Sequence, residues 1–275
     1  MQLEQGGLGL YLSMLAMGWA VAAAGEVVRY VIAASVASFV VRAIPGIRSK
    51  RLQPQEPALA QRQAELGASV AACGVLGIAG VSVGAMAWAG WVDFAAPAGR
   101  SWWQPCAVLV AAILTHDAYF YWTHRAMHLR SLFSVMHERH HRSTTPTPWA
   151  ALSFHPLETV VNGAIYPILA LALPIGIVEL SAFALFATVH SALIHSGHDV
   201  YGVLGPRGLR PHARVVATSL DHDLHHSGAR GNYALYLSLW DWLMGTRVMP
   251  ESIGSEARMG PGGQMALDIH GGPVT

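Results

Sequence analysis

The chain has 275 residues, of which 53% are hydrophobic and only 12% charged, and its 17 Lys and Arg against 16 Asp and Glu give a formal net charge of +1. The charged share is about half that of a soluble domain, and the mean hydropathy of +0.37 agrees, so the chain is a membrane protein or has a very apolar core, and the lengths of its apolar runs favour the membrane. A balance this even gives no reason to expect nucleic acid or another anionic partner. Cys73 and Cys106, both inside apolar runs, exclude a disulfide framework and a Cys-based zinc site.

Residues 8–41 are apolar, interrupted only by Glu26 and Arg29. The run is too long for a signal-peptide core and carries no cleavage pattern; it predicts one span over 19–41, preceded by an apolar extension, with Glu26 and Arg29 paired three residues apart on the helix. Arg42, Arg48, Lys50, Arg51 and Arg62 then surround a Pro-containing loop, which the positive-inside rule places in the cytoplasm. A second span is expected over 67–91, a turn over 93–100, and a third span from about 102. Trp88, Trp91, Trp102 and Trp103 cluster around the turn as an interfacial aromatic belt. Pro174 and Gly176 interrupt the apolar stretch 160–194 and predict a two-helix hairpin that dips into the bilayer and returns. Residues 251–275 are Gly-rich and weakly patterned, a disordered tail in which His270 is no ligand.

This topology brings three histidine clusters and His195 to one side, together with Arg125, Arg130, Arg139, Arg142, Arg207, Arg210, Arg214 and Arg230. The clusters are HRAMH (His124, His128), HERHH (His137, His140, His141) and HDLHH (His222, His225, His226). Residues three or four apart on a helix are surface neighbours, and a neutral imidazole offers a lone pair that borderline metals such as iron and zinc accept. One such cluster is equally an ordinary set of surface or core histidines. Three together point to metal, and eight imidazoles exceed what one tetrahedral zinc uses, so two metals are expected. HERHH also satisfies H-E-x-x-H, with His137 and His141 as a zinc pair and Glu138 as a base, but that reading leaves the other clusters unexplained. A metal-transport reading wants polar residues in the middle of the spans, where this chain has few.

Asp117 lies seven residues before His124 and eleven before His128, on nearly one helical face, and is a candidate for the carboxylate that orients a ligating imidazole. Asp221 and Asp223 flank His222 and are candidates for the same role, with Asp221 also a candidate helix cap. His116 reads as structural and His212 as surface. His155 with Glu158 either lines the site or anchors a loop, and Asn232 and Tyr233 follow the last cluster and help set its geometry. Tyr119, Phe120, Tyr121 and Trp122 are expected to pack against lipid or neighbouring helices.

From HDAYFYWTHRAMH onward, through HERHHRSTTPTPWAALSFHPLE, HSGHD and DHDLHHSGARGNYALYLSLWDWLMGT, the chain resembles the fatty acid hydroxylase superfamily. This is the membrane di-iron group that includes sterol desaturases and sterol methyl oxidases. The resemblance covers roughly residues 110–247. It implies two iron ions held by His124, His128, His137, His140, His141, His222, His225 and His226, with His195 as a further ligand and His190 as a weaker candidate. The implied reaction is hydroxylation or desaturation of a lipid, whether sterol, fatty acyl or terpenoid, by dioxygen. Two positions depart from the pattern: Trp242 stands where an arginine commonly follows WD, and His198 where Tyr is common, so His198 is at most accessory.

No fused haem-binding domain or Gly-rich dinucleotide fingerprint is evident, so electrons are expected from a separate ferredoxin-like or cytochrome b5-like protein. The expected fold is an all-α integral membrane protein of about four to five membrane helices or half-hairpins with a histidine-rich helical lobe on the cytosolic face, in the bacterial inner membrane or the endoplasmic reticulum. Residues 1–104 would form the anchor, 105–250 the di-iron domain and 251–275 the tail.

Overall fold

The computed structural model describes residues 2–95, 100–204, 215–228 and 231–248, and among them it is helical, with only isolated β-bridges at Arg51–His198 and Val216–Leu237. Arg207, Arg210, His212, Arg214, Arg230, His270 and the expected tail lie outside the described residues. Helix α1 (Gln2–Ala43) is unbroken, so the apolar extension and the first span are one element. Nothing between them carries a turn signal. It stops where Pro45 forces the preceding Ile44 into extended backbone, φ −102° and ψ 103°. The short α2 (Pro45–Arg48) leads to α3 (Leu59–Trp88), which starts eight residues earlier than expected. Its polar first turns are anchored: Gln61 donates to Glu65 and to the carbonyl of Thr145, and Thr147 donates to Glu65.

Helix α4 (Gln104–Met127) begins where the third span was expected. The helices long and apolar enough to cross a membrane are Leu8–Ala43, Leu59–Trp88 and Ile177–Ile194. α4 is not among them, because its second half carries His116, Asp117, His124 and Arg125. After α4 come α5 (Arg130–Leu132), a π-turn (Phe133–His137), α6 (Glu138–His141) and a 3-10 turn (Pro148–Leu152). The expected hairpin is present: α7 (Pro156–Gly163) runs into α8 (Ile165–Ala172), the chain breaks at Leu173 and Pro174, and α9 (Ile177–Ile194) returns. The helices α10 (Val200–Leu204), α11 (Ser219–His226) and α12 (Leu239–Leu243) complete the described chain.

The two largest apolar cores among the described residues join the long helices. The first joins Tyr30, Ala34 and Ala37 of α1 to Ala72, Cys73 and Leu76 of α3, Leu152 of the 3-10 turn and Ala192 of α9. Tyr30 and Ser69 both donate to the carbonyl of Trp149, at 2.7 and 2.9 Å, which ties both long helices to that turn. The second core joins Val83, Val108, Ala112, Ile165, Leu169 and Phe183. Arg100 pairs with Glu179 at 2.7 Å at the start of α9, and Glu26 pairs with Arg29 as expected. The four turn tryptophans are exposed, as are Val31, Ile32, Phe39 and Ile78 on the long helices. That is the surface of a protein solvated by lipid.

Small residues set the α1–α3 approach. A Cβ added at Gly77 would lie 3.0 Å from both Cβ and N of Ala23, and one at Gly80 would lie 3.1 Å from Cβ of Ala22. Such close backbone contact is how helices gain packing energy in lipid. Gly77→Leu is therefore expected to destabilise the detergent-solubilised protein by about 1–3 kcal/mol, read as a lowered thermal midpoint. Gly84→Leu, at a position with nothing within 4 Å, should leave the midpoint unchanged.

Candidate metal centre

Nine histidines meet in two adjoining groups: His124, His128, His137, His141 and His225, and His140, His195, His222 and His226. Within each group one ring nitrogen from every residue lies within 4.8 Å of all the others. The helical spacing explains the division. His124 and His128, four apart at the end of α4, enter the first group together, as do His137 and His141. His222 and His226, four apart on α11, enter the second. The middle residue of each HxxHH motif crosses over, His140 to the second group and His225 to the first. The π-turn ending at His137 sets the rotation at which α6 begins.

The nitrogens converge. Nε2 of His137 lies 3.0 Å from Nε2 of His124 and 3.1 Å from that of His141. In the second group the Nε2 separations are 3.3 Å for His140 and His195, 2.8 Å for His195 and His222, and 3.1 Å for His222 and His226. Neighbouring nitrogens bound to one first-row ion at about 2.1 Å lie about 3.0–3.4 Å apart, so this spacing fits donors around a common centre. Nε2 of His128 and of His225 are buried with no hydrogen-bond partner.

Acceptors on the far side of the rings decide which nitrogen faces inward. Nδ1 of His124 donates to the carbonyl of Tyr233, Nδ1 of His225 to that of Gly231 and Nδ1 of His195 to that of Ser191, at 2.8, 2.8 and 2.7 Å. A carbonyl only accepts, so Nδ1 holds the proton and the Nε2 lone pair points into the group. Nδ1 of His137 lies 2.8 Å from Oε1 of Glu158. Burial raises the Glu158 carboxyl well above the carboxylate range and lowers the His137 imidazole well below its usual value, so neither partner favours charge. Burial also lowers His195 and His225 to about 4 and His128 to about 3. The imidazoles are thus neutral and free to ligate.

Gly231 can serve only as glycine. At φ +133° a Cβ would meet the carbonyl oxygen of Thr246 at 2.1 Å. Asn232 follows in the left-handed region at φ 53° and donates to the carbonyls of Asp221 and Val248. This turn carries the carbonyls of Gly231 and Tyr233 that orient His225 and His124.

Several expected site residues lie elsewhere. Asp117 touches no histidine; its Oδ1 accepts from the backbone N–H of Tyr236 and Leu237 at 2.9 and 3.0 Å. Seven residues is about 10.5 Å along a helix, too far for a carboxylate to reach His124 even on the same face. His190 joins neither group, because Nε2 donates to the carbonyl of Leu235 and Nδ1 accepts from Tyr201, which leaves no lone pair for a metal. Asp221 accepts from the backbone and hydroxyl of Thr218 in a capping box, and Asp223 accepts from Gln53.

His116 lies 3.0 Å from the Tyr236 hydroxyl, His155 caps α7, and His198 bonds the carbonyl of Ser196. Glu138 pairs with Arg142 at the surface, so the carboxylate that a zinc-protease reading needs is turned away. The carboxylate that does meet a clustered histidine is Glu158, which sequence reasoning had placed only as a possible lining residue.

A cavity of about 70 Å³ adjoins both groups. His137, His140, His195 and His222 stand at one side, and Leu76, Phe120, Leu152, Ile165 and Leu235 supply apolar wall. Arg29, His116, Glu158, Asn162, Tyr166, Thr188 and Ser191 add polar groups to the remaining wall.

Helices long and apolar enough to cross a membrane, beside two adjoining groups of buried histidines, define a class, and sequence comparison gives it a family. The chain belongs to the fatty acid hydroxylase family, whose model matches residues 109–246, half of its length. It is 32% identical over 139 residues to a Delta(7)-sterol 5(6)-desaturase of Gibberella zeae, covering 50% of this chain and 37% of that protein. Methylsterol monooxygenase 1 of Gallus gallus is 31% identical over 145 residues, covering 53% and 47%, and lathosterol oxidase of Homo sapiens 28% identical over 144 residues, covering 52% and 46%. The chain thus spans less than half the length of these curated relatives. No solved structure matches.

Neutral buried imidazoles make stability depend on pH. Their folded values lie below the unfolded value of about 6.5, so the unfolded chain takes up protons first and stability falls as pH drops from about 6.5 toward about 4, the value for His195 and His225. At pH 5 each such residue costs about 2 kcal/mol. Chelator-treated protein should show a steep fall in thermal midpoint between pH 7.5 and 5; a flat profile would refute the neutral, buried assignment.

Proposed function

We propose that the chain is a membrane-bound non-haem di-iron oxygenase that hydroxylates or desaturates a lipid, using dioxygen and electrons from a separate ferredoxin-like or cytochrome b5-like protein. The observation that carries this reading is the convergence of nine buried imidazoles in two groups beside an apolar cavity. The relatives named above are sterol desaturases, sterol oxidases and sterol monooxygenases, which supports a sterol or similarly apolar substrate.

The donor set fits iron: imidazole suits it, and five and four nitrogens leave positions open on a six-coordinate ion. His124, His128, His137, His141 and His225 would hold one ion, and His140, His195, His222 and His226 the other. Bound there, iron supplies one-electron and dioxygen chemistry that amino-acid side chains lack. The protein's own work is positioning. The carbonyls of Gly231, Tyr233 and Ser191 keep three ligands in one tautomer, and Glu158 holds His137. The cavity walls place one carbon of the substrate beside the histidines and exclude bulk water.

We assign residues 105–250 to the catalytic domain and 1–104 to the membrane anchor, which also lends Arg29 and Leu76 to the cavity. The basic loop between α1 and α3 favours the cytoplasmic face for the metal site, in a bacterial inner membrane or the endoplasmic reticulum.

Metal analysis of the purified protein should find about two irons per chain on this reading. His140→Ala and His225→Ala, one from each group, should each abolish oxygen-dependent lipid oxidation while membrane insertion persists. One zinc per chain, or normal oxidation by both variants, would refute the assignment.

A further inference from the structure

One wall of the cavity carries a polar row of which the proposed metal chemistry uses only the first member, Glu158. Glu158 and Asn162 stand one turn apart on α7, and Tyr166 follows one turn later on α8. The helices join through Ala164, whose backbone is helical at φ −63° and ψ −18°, so the three residues share a face. All three line the cavity, with Arg29 of α1 and Thr188 of α9 beside them.

The ends of the row are occupied and its middle is open. Glu158 holds His137 at 2.8 Å. At the other end the guanidinium of Arg29 is committed on three sides: it pairs with Glu26, donates to Thr188 Oγ1 at 3.1 Å and donates to the Tyr166 hydroxyl at 3.3 Å. Asn162 between them has both amide atoms, Oδ1 and Nδ2, buried with no hydrogen-bond partner. A buried amide left unpaired forfeits its hydration without compensation, and here two polar atoms are unpaired in a wall that faces a cavity.

We infer that Asn162 is the recognition point for a neutral hydroxyl on the lipid substrate, which donates to Oδ1 and accepts from Nδ2. A hydroxyl carries one donor and two lone pairs, so it satisfies both atoms at once. An ether or ester oxygen only accepts and leaves Oδ1 unpaired. An anionic head group fits worse: the lining offers no uncommitted cation, since Arg29 is neutralised by Glu26, and the anion would lose its hydration beside the Glu158 carboxyl. The cavity therefore selects lipid alcohols over free fatty acids and other anionic lipids. This inference rests on the reading of the cavity as the lipid site.

The test is equilibrium binding to the iron-loaded full chain in nanodiscs, in two skeleton series: cholestanol, its methyl ether and its sulfate, and hexadecanol, its methyl ether and palmitate. In at least one series the alcohol should bind about tenfold more tightly than the ether and the anion, and Asn162→Leu should remove that preference at unchanged iron content and helicity. Equal binding of alcohol and ether in both series, preference for the anion, absence of alcohol binding, or a preference retained in Asn162→Leu would overturn it. The wild-type alcohol-to-ether comparison needs no variant, so misfolding of Asn162→Leu would not shield the inference. Lipid oxidation assayed on the same preparations separates the two readings: no oxidation with the alcohol preference intact would sink the oxygenase and support the hydroxyl site.

Discussion

Nine imidazole nitrogens directed at two points inside a protein form an arrangement that opposes itself. Lone pairs about 3 Å apart repel, and burial removes the water that would separate them. Protonation would relieve the repulsion, but each added proton brings a charge into a site that already disfavours charge, which is why burial and neighbouring imidazoles press the histidine values down together. A cation shared among the nitrogens is the remaining way to satisfy them, and the fold is built to keep that geometry ready.

Much of that building lies in the segment after α11. Asp117 receives the N–H groups of Tyr236 and Leu237, and Asp241 receives those of Tyr233 and Ala234. Two buried carboxylates thus clamp the backbone whose carbonyls orient His124 and His225. Asp117 serves the metal groups through a strap of chain, and its role is positional. Gly231 completes the strap, since its carbonyl reaches His225 only because no Cβ stands against Thr246.

Eight of the nine clustered histidines were legible because helical spacing is written in the chain, four apart meaning one face, whereas His195 was reached only through the family resemblance. His190 carried a contrary sign in the same rule, for five residues turn a helix about 500°, leaving it about 140° from His195. The crossing of His140 and His225 between groups depends on how α6 and α11 face each other, a tertiary fact with no local trace. Backbone carbonyls have no letter in a sequence, so the partners of His124, His195 and His225 were invisible. Glu158 was visible but outweighed by Asp117, which has the right helical face and the wrong height. Composition gave the long apolar helices α1, α3 and α9, while α4 is continuous without being apolar along its length.

The two jobs of the site fall on different parts of the molecule. All but one of the clustered histidines come from α4, the π-turn with α6, and α11; His195 alone sits at the end of a membrane-crossing helix. The polar row comes from α1, α7, α8 and α9, and the apolar wall is shared among α3, α4, the 3-10 turn, α8, α9 and the strap after α11. Apart from Glu158, which holds His137, the side chains of the polar row shape the cavity and its hydrogen bonding without touching a clustered imidazole. Such a separation lets one metal cage serve lipids of different form. On the proposed reading, what this chain acts on is then decided away from the histidines, at residues such as Arg29, Asn162 and Tyr166.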